Sequence, residues 1–184
     1  DPRNGSIYQV VRANKQGTDW YDEITRTAPL QRHSLGISGG GEASRFFVGL
    51  SAQDQKGILL ENDFKRYAAR FNSEFDVLKN LRIGENLQVS YISVRGLTGS
   101  NGGQGISFDE NELNLAYRMP SIIPVYDEFG GYAGTAAKGF NNPRNPVAQR
   151  HGRHNDKAFA TQAFGNVYLE VDPLPGLTLR TSIG

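Results

Sequence analysis

Long runs in which side chains alternate between apolar and polar at a period of two constrain this chain more than any other feature. From Phe64 to Val77, Tyr67, Ala69, Phe71, Ser73, Phe75 and Val77 fall on one side, and Arg66, Ala68, Arg70, Asn72, Glu74 and Asp76 on the other. Successive side chains take opposite sides in a strand, so both faces of this strand must meet different surroundings. The pattern recurs from Leu81 to Tyr91, where only Glu85 interrupts the apolar side, and from Phe159 to Val171, where the rings of Phe164 and Tyr168 fall on the polar side. Ser44 to Gln53 and Leu177 to Ile183 repeat it, and a shorter run through Leu35 and Ile37 leads into Gly39, Gly40 and Gly41. The reading is all-β, with antiparallel strands.

The connections alternate in length. Gly39 to Ala43, Leu78 to Asn80 and Asp172 to Gly176 are tight, whereas Lys56 to Asp63 is longer and Arg95 to Asp156 is far longer. Short turns at one end and long loops at the other, joining strands of about ten residues, are the asymmetry of outer-membrane barrels. Within the longest loop, Asp109 to Met119 reads as one short helix, with Asp109 and Glu112 as a capping box and Pro120 as its stop. The rest of that loop is punctuated by Gly, Asn and Pro, as at Asn101-Gly102-Gly103 and Asn141-Asn142-Pro143.

Composition narrows the classes. Hydrophobic residues make up 38%, with 22 Gly, 10 Phe and 8 Tyr; soluble domains carry roughly 45–50% apolar residues. No run approaches the roughly 20 apolar residues of a spanning helix. Charges of both signs are interspersed, at a net +1, so no basic stripe offers a nucleic-acid surface. Without cysteine there is no disulfide framework, thiolate zinc site or cysteine nucleophile. The first residues lack the charged, apolar and small-residue regions of a secretory signal, which leaves two readings: a chain that is not exported, or an internal part of a longer one.

Several blocks then resemble a known family in order and spacing. They are Thr18-Asp19-Trp20-Tyr21-Asp22-Glu23-Ile24, Arg26-Thr27-Ala28-Pro29 and His33-Ser34-Leu35-Gly36-Ile37-Ser38-Gly39-Gly40; Asp54-Gln55-Lys56-Gly57-Ile58 with Phe64-Lys65-Arg66-Tyr67; Arg118-Met119-Pro120 through Pro124-Val125-Tyr126-Asp127-Glu128; and Phe164-Gly165-Asn166-Val167-Tyr168-Leu169-Glu170-Val171-Asp172. Together they resemble SusC-like (SusC/RagA) TonB-dependent outer-membrane transporters over nearly the whole chain. The resemblance implies about six strands of a plugged transmembrane barrel of about 22 strands. It implies an extracellular loop over residues 1–30, barrel strands with short turns over 31–94, a long extracellular loop over 95–156 with its helix near 109–119, and a barrel hairpin over 157–184. The family's plug, TonB-contacting N-terminal region and remaining barrel lie outside these residues, so an internal fragment is expected. Such a sheet alone would present a lipid face and unpaired edges to water.

The implied function is import of an oligosaccharide or peptide-like nutrient across the outer membrane of a Bacteroidetes-like Gram-negative bacterium. The implied partners are a SusD-like lipoprotein, TonB, outer-membrane lipid and the remainder of the same chain, with no nucleic acid. A soluble β-sandwich module that binds glycans is the alternative; it predicts strands of five to seven residues.

No residue set promises catalysis or a cofactor. His151 and His154 are spaced to converge on a metal but have no third ligand nearby, and read as a solvated loop. Asp127-Glu128 and Asp109-Glu110-Glu112 do not have calcium-loop spacing and read as turn and capping residues. The Gly36–Gly41 region precedes a strand rather than a helix, so it is a turn and not a phosphate loop. Gly36-Ile37-Ser38-Gly39 is not a nucleophile elbow. Arg66, Arg70, Asn72, Glu74, Arg82, Asn86, Gln88, Asn166, Glu170 and Arg180 form the lumen-facing set, read as plug contacts ahead of a substrate path. Tyr67, Phe75, Tyr91 and Phe159 read as lipid-facing girdle rings. Substrate-binding residues stay unassigned.

Overall fold

The computed structural model describes residues 12–96, 111–134 and 143–184. In chain order its elements are α1 (Trp20–Ile24), β1 (Leu30–Gly40), β2 (Ser44–Lys56), β3 (Asp63–Leu78), β4 (Leu81–Arg95), α2 (Glu112–Arg118), α3 (Pro146–Gly152), a 3₁₀ turn (Arg153–Asn155), β5 (Lys157–Leu174) and β6 (Leu177–Ile183). The six strands form one sheet in the order β1-β2-β3-β4-β5-β6. The two registers that are defined, β1 with β2 and β5 with β6, are antiparallel. Strands β1 to β5 run from 11 to 18 residues, well beyond the roughly five or six of ordinary globular strands. The described residues supply no second sheet to make a sandwich.

The short connections follow from local chemistry. Between β1 and β2 the Gly41 N–H donates to Ser44 C=O at 2.8 Å. A Cβ at Gly40 would come within 2.5 Å of that carbonyl, so the turn requires glycine. Between β5 and β6, Pro175 presets its own φ and Gly176 takes φ +84°, the pairing of a type II turn. A register shift between Val171 and Leu174 brackets Pro173, which has no N–H to give to a ladder.

The chain divides into two compact units. The sheet unit comprises Leu30–Gln55, Phe64–Ser93 and Ala158–Gly184. One of its faces stays apolar and open: Leu35, Leu50, Phe75 and Leu179 are each more than half exposed. Glu85, the misfit on that face, accepts a hydrogen bond from Ser73 Oγ at 3.1 Å.

The loop unit comprises Asp1–Pro29, Lys56–Asp63 and Val94–Lys157. It has its own core, in which Trp20, Ile24, Ala116, Met119, Ile123, Val125, Ala133 and Val147 are buried against one another and Leu59 packs alongside. Trp20 Nε1–H donates to Pro120 C=O at 3.1 Å, so the indole is buried without an orphaned donor. Asp19 caps α1, and Asn145 caps α3 while donating to the carbonyls of Val125 and Ala133, both at 2.9 Å.

Two expectations about the long loop change. It holds more than one helix, because α3 begins at Asn145-Pro146, a cap followed by proline in the first turn. The cap of α2 is Asn111, whose side chain accepts from Leu113 N–H at 2.9 Å; Asp109 and Glu110 lie outside the described residues. Glu112, instead of completing a capping box, is fully buried and pairs with Arg150 at 3.2 Å.

Candidate functional site

The polar face of the sheet is the best-organised constellation of charge in the sheet unit. Glu74 on β3, Arg82 on β4, Glu170 on β5 and Arg180 on β6 form a continuous ladder: Arg82 lies 3.2 Å from Glu74 and 3.0 Å from Glu170, and Arg180 lies 3.8 Å from Glu170. Arg82 also holds Asp76 at 2.8 Å, and Arg45 on β2 closes on Glu74. Five adjacent strands are thereby tied by side chains as well as by backbone. Exposed pairs contribute little singly, about 0–1 kcal/mol, and shared networks are the better case.

Tyr168 organises this ladder from above. Its hydroxyl donates to Glu74 Oε2 at 2.6 Å, so its ring spans β4 to reach β3. The Arg180 guanidinium lies 3.7 Å over the ring, a cation–π contact. The ring counted as out of place on the polar side is therefore its centrepiece, and at 8% exposure it is the most buried ring of the sheet.

The other polar-face residues fall into two sets. Asn86 donates to Asn166 at 3.1 Å, and Arg70 Nε–H to Asn72 at 3.2 Å. Arg66, Arg70 and Gln88 line a depression together with Arg32, which pairs with Gln53 at 2.9 Å. Arg32 was not legible as a member because the sequence run around Leu35 and Ile37 is too short to reveal an 11-residue strand.

On the opposite face Tyr91 and Phe159 stack with ring centroids 6.2 Å apart. Tyr67 and Phe75 are separated by eight steps along β3, about 26 Å at about 3.3 Å per residue. That spacing matches an apolar band about 25 Å tall between two aromatic girdles. Lys65 and Asp54, 3.5 Å apart, lie on the same face beyond Tyr67.

In the loop unit the two histidines part company. His151 Nδ1 meets the Tyr132 hydroxyl and His154 Nδ1 meets Glu61 Oε2 at 2.9 Å. The hydrogen bond from His154 holds the Glu61 carboxyl below its usual value, and burial pushes the Tyr132 phenol up. Asp127 accepts from the N–H groups of Phe129 and Gly131 at 2.9 and 2.8 Å, the turn role expected of it. Asp63, nearly buried, is surrounded by Arg26 at 3.1 Å, Lys56 at 3.3 Å and Arg95.

No family model matches the chain. Among curated proteins it is 28% identical over 185 residues to the TonB-dependent receptor SusC of Bacteroides thetaiotaomicron, a match covering 91% of this chain and 18% of that protein. The sequence is similar to this TonB-dependent receptor without reaching a third of identical positions. It is also 24% and 27% identical to TonB-dependent receptors P3 and P39 of Formosa agariphila, over 91% and 90% of this chain but 16% and 14% of theirs. The chain thus spans less than a fifth of the length of the curated relatives it matches. Two structures of the RagAB peptide importer and transporter share its fold at 22% identity, with TM-scores of 0.65 and 0.64, covering 96% and 90% of this chain. The six strands are therefore a segment of a transporter-type β-barrel, and the relatives named are receptors and importers, not enzymes.

Proposed function

We propose that the chain is part of the outer-membrane wall of a TonB-dependent nutrient importer. The observation that carries this reading is the sheet itself: long strands with one open apolar face framed by aromatic rings, and one polar face cross-linked by ion pairs. A barrel wall with lipid outside and a polar lumen inside gives both faces suitable surroundings. The long connections, residues 57–62 and 96–156, face the cell exterior, and the tight turns face the periplasm. The cargo class is an oligosaccharide or a peptide-like nutrient, delivered with a SusD-like surface lipoprotein and driven by TonB acting on a region outside this chain. The similarity to SusC and to the RagAB fold supports this assignment.

Single cysteines at Leu87 and Gln88, adjacent in sequence and opposite in face, test it in the full-length transporter. These 184 residues contain no cysteine, and any cysteine elsewhere in the transporter is replaced first. A spin label at Leu87→Cys should be relaxed by a lipid-soluble quencher and one at Gln88→Cys should not. Equal response at both positions would rule out a membrane wall.

A further inference from the structure

A short hairpin in the loop unit holds two tyrosines against each other. Tyr126 and Tyr132 form an isolated antiparallel bridge, and their rings lie 5.3 Å apart with a tilt of 31°. The residues flanking them are anchored: Val125 and Ala133 are buried, Ala133 N–H donates to Val125 C=O at 3.0 Å, and Asn145 donates to both carbonyls. At the tip, Asp127 accepts from the N–H groups of Phe129 and Gly131, and Gly130 takes φ +81°. The His151 ring bonds the Tyr132 phenol and lies 5.9 Å from its ring. Tyr126 is thereby set in place before any ligand arrives, which spares the entropy of ordering it on binding.

Tyr132 backs one side of the Tyr126 ring. Tyr126 is still 50% exposed and forms a wall of a shallow depression, which Arg12, Asn14, Pro124, Asp127 and Glu128 also line. Asn14 is itself oriented, since its side chain accepts from Gln16 N–H at 3.1 Å and donates to Thr18 Oγ1 at 3.0 Å. One flat apolar face is thus surrounded by guanidinium and amide donors and by carboxylate acceptors.

A pyranose has the complementary form: C–H bonds cover its faces, and hydroxyls that both donate and accept stud its edge. The electron-rich face of a phenol attracts such C–H groups, and planar charged groups make strong hydrogen bonds to the hydroxyls. A peptide fits less well, because peptide recognition uses an open strand edge, an apolar groove or an arginine cluster, and the residues lining this depression make none of these. Two carboxylates against one guanidinium disfavour an acidic sugar.

Taking the chain as part of a nutrient importer, we infer that the Tyr126 depression binds a neutral pyranose unit of an oligosaccharide, stacked on Tyr126 with its hydroxyls shared among Arg12, Asn14, Asp127 and Glu128. Of the two cargo classes, this selects the saccharide.

The test measures binding to the full-length transporter in detergent by calorimetry. The probes are neutral tetrasaccharides of glucose, galactose, mannose and xylose, with tetragalacturonate and tetra-alanine as the acidic and peptide comparisons. At least one neutral probe should bind, Tyr126→Ala should weaken it by about tenfold or more, as for loss of an aromatic anchor, and Tyr126→Trp, which keeps a ring face, should retain it. Comparison of variant with parent removes binding elsewhere in the transporter. Glu128→Ala, at an exposed position, should weaken the same probe with the fold untouched, so the outcome does not hang on Tyr126→Ala remaining folded. The proposal is overturned if no neutral tetrasaccharide binds, if Tyr126→Ala and Glu128→Ala both leave affinity unchanged, or if the response to Tyr126→Ala belongs to tetragalacturonate or tetra-alanine instead. Extraction from outer membranes only by detergent checks the barrel reading separately, so an inserted transporter indifferent to the neutral probes rejects the sugar site alone.

Discussion

Gly84 lies directly beneath Tyr168: a Cβ built on this glycine would fall 2.1 Å from Tyr168 Cζ and 2.3 Å from its hydroxyl oxygen. The missing side chain on β4 is what lets a ring from β5 cross over to Glu74 on β3. Gly84→Ala should therefore force the ring away and cost about 1–3 kcal/mol, the range of overpacked sites. Tyr168→Phe should cost about 1.5–3 kcal/mol for a lost hydrogen bond to a charged acceptor. Because both act on one contact, the double variant should cost less than the sum. Urea unfolding of the purified full-length barrel reads all three, and strict additivity would show that the two residues are independent.

Arg150 and Glu112 are both fully buried, and Arg150 also donates to the carbonyls of Leu60 and Gly96. Arg150→Met would leave the buried Glu112 with only Arg153, 3.6 Å away, as a counter-charge and orphan those carbonyls, a loss of up to about 3–5 kcal/mol. The change should appear as rapid proteolysis within residues 56–63 and 143–156 while the strands stay protected.

Leu87, on the apolar face midway along β4, should not tolerate charge. Leu87→Arg is expected to cost about 2–4 kcal/mol at the bilayer midplane. Gln88→Arg, one residue on but on the polar face, should fold into lipid vesicles with nearly native yield. The ratio of heat-modifiable to unfolded bands on a gel measures both.

The loop unit should loosen in acid. The His154 hydrogen bond holds the Glu61 carboxyl below its ordinary value of 4.5. A depressed carboxyl contributes stability that is complete above its unfolded value and is lost as pH falls through the folded one. The protection of amides around residues 57–62, taken relative to their intrinsic exchange rates at each pH, should be flat above pH 4.5 and fall below it, and Glu61→Gln should remove that step.

The strands were legible because membrane walls separate apolar from polar at every second residue, and β3 and β4 keep that pattern nearly throughout. Strand β1 was not, since glycine and serine occupy five of the 11 positions of Leu30–Gly40 and carry no periodic signal. The loop unit was the least legible. Its core joins Trp20 and Ile24 to Met119 and Val147, contacts over long sequence separations that local spacing does not encode. Glu112 misled for a related reason: its position fits a capping box, and only the distant Arg150 draws it inward. Tyr168 was placed on the right face, but its meaning depended on Gly84 of the neighbouring strand β4, distant in sequence and adjacent in space.

The discontinuous core of the loop unit also sets a folding order. Thr18 Oγ bonds to Ile123 C=O across 105 residues, and Arg150 to Leu60 across 90. Closing chains of that length loses entropy before any contact repays it. The core that covers Trp20, Ile24 and Leu59 is therefore complete only once the 143–156 segment, which supplies Val147, has been made. Burial of Trp20, the single tryptophan of these 184 residues, is a late event, so its fluorescence, with any tryptophan elsewhere replaced, would clock the completion of this part of the molecule.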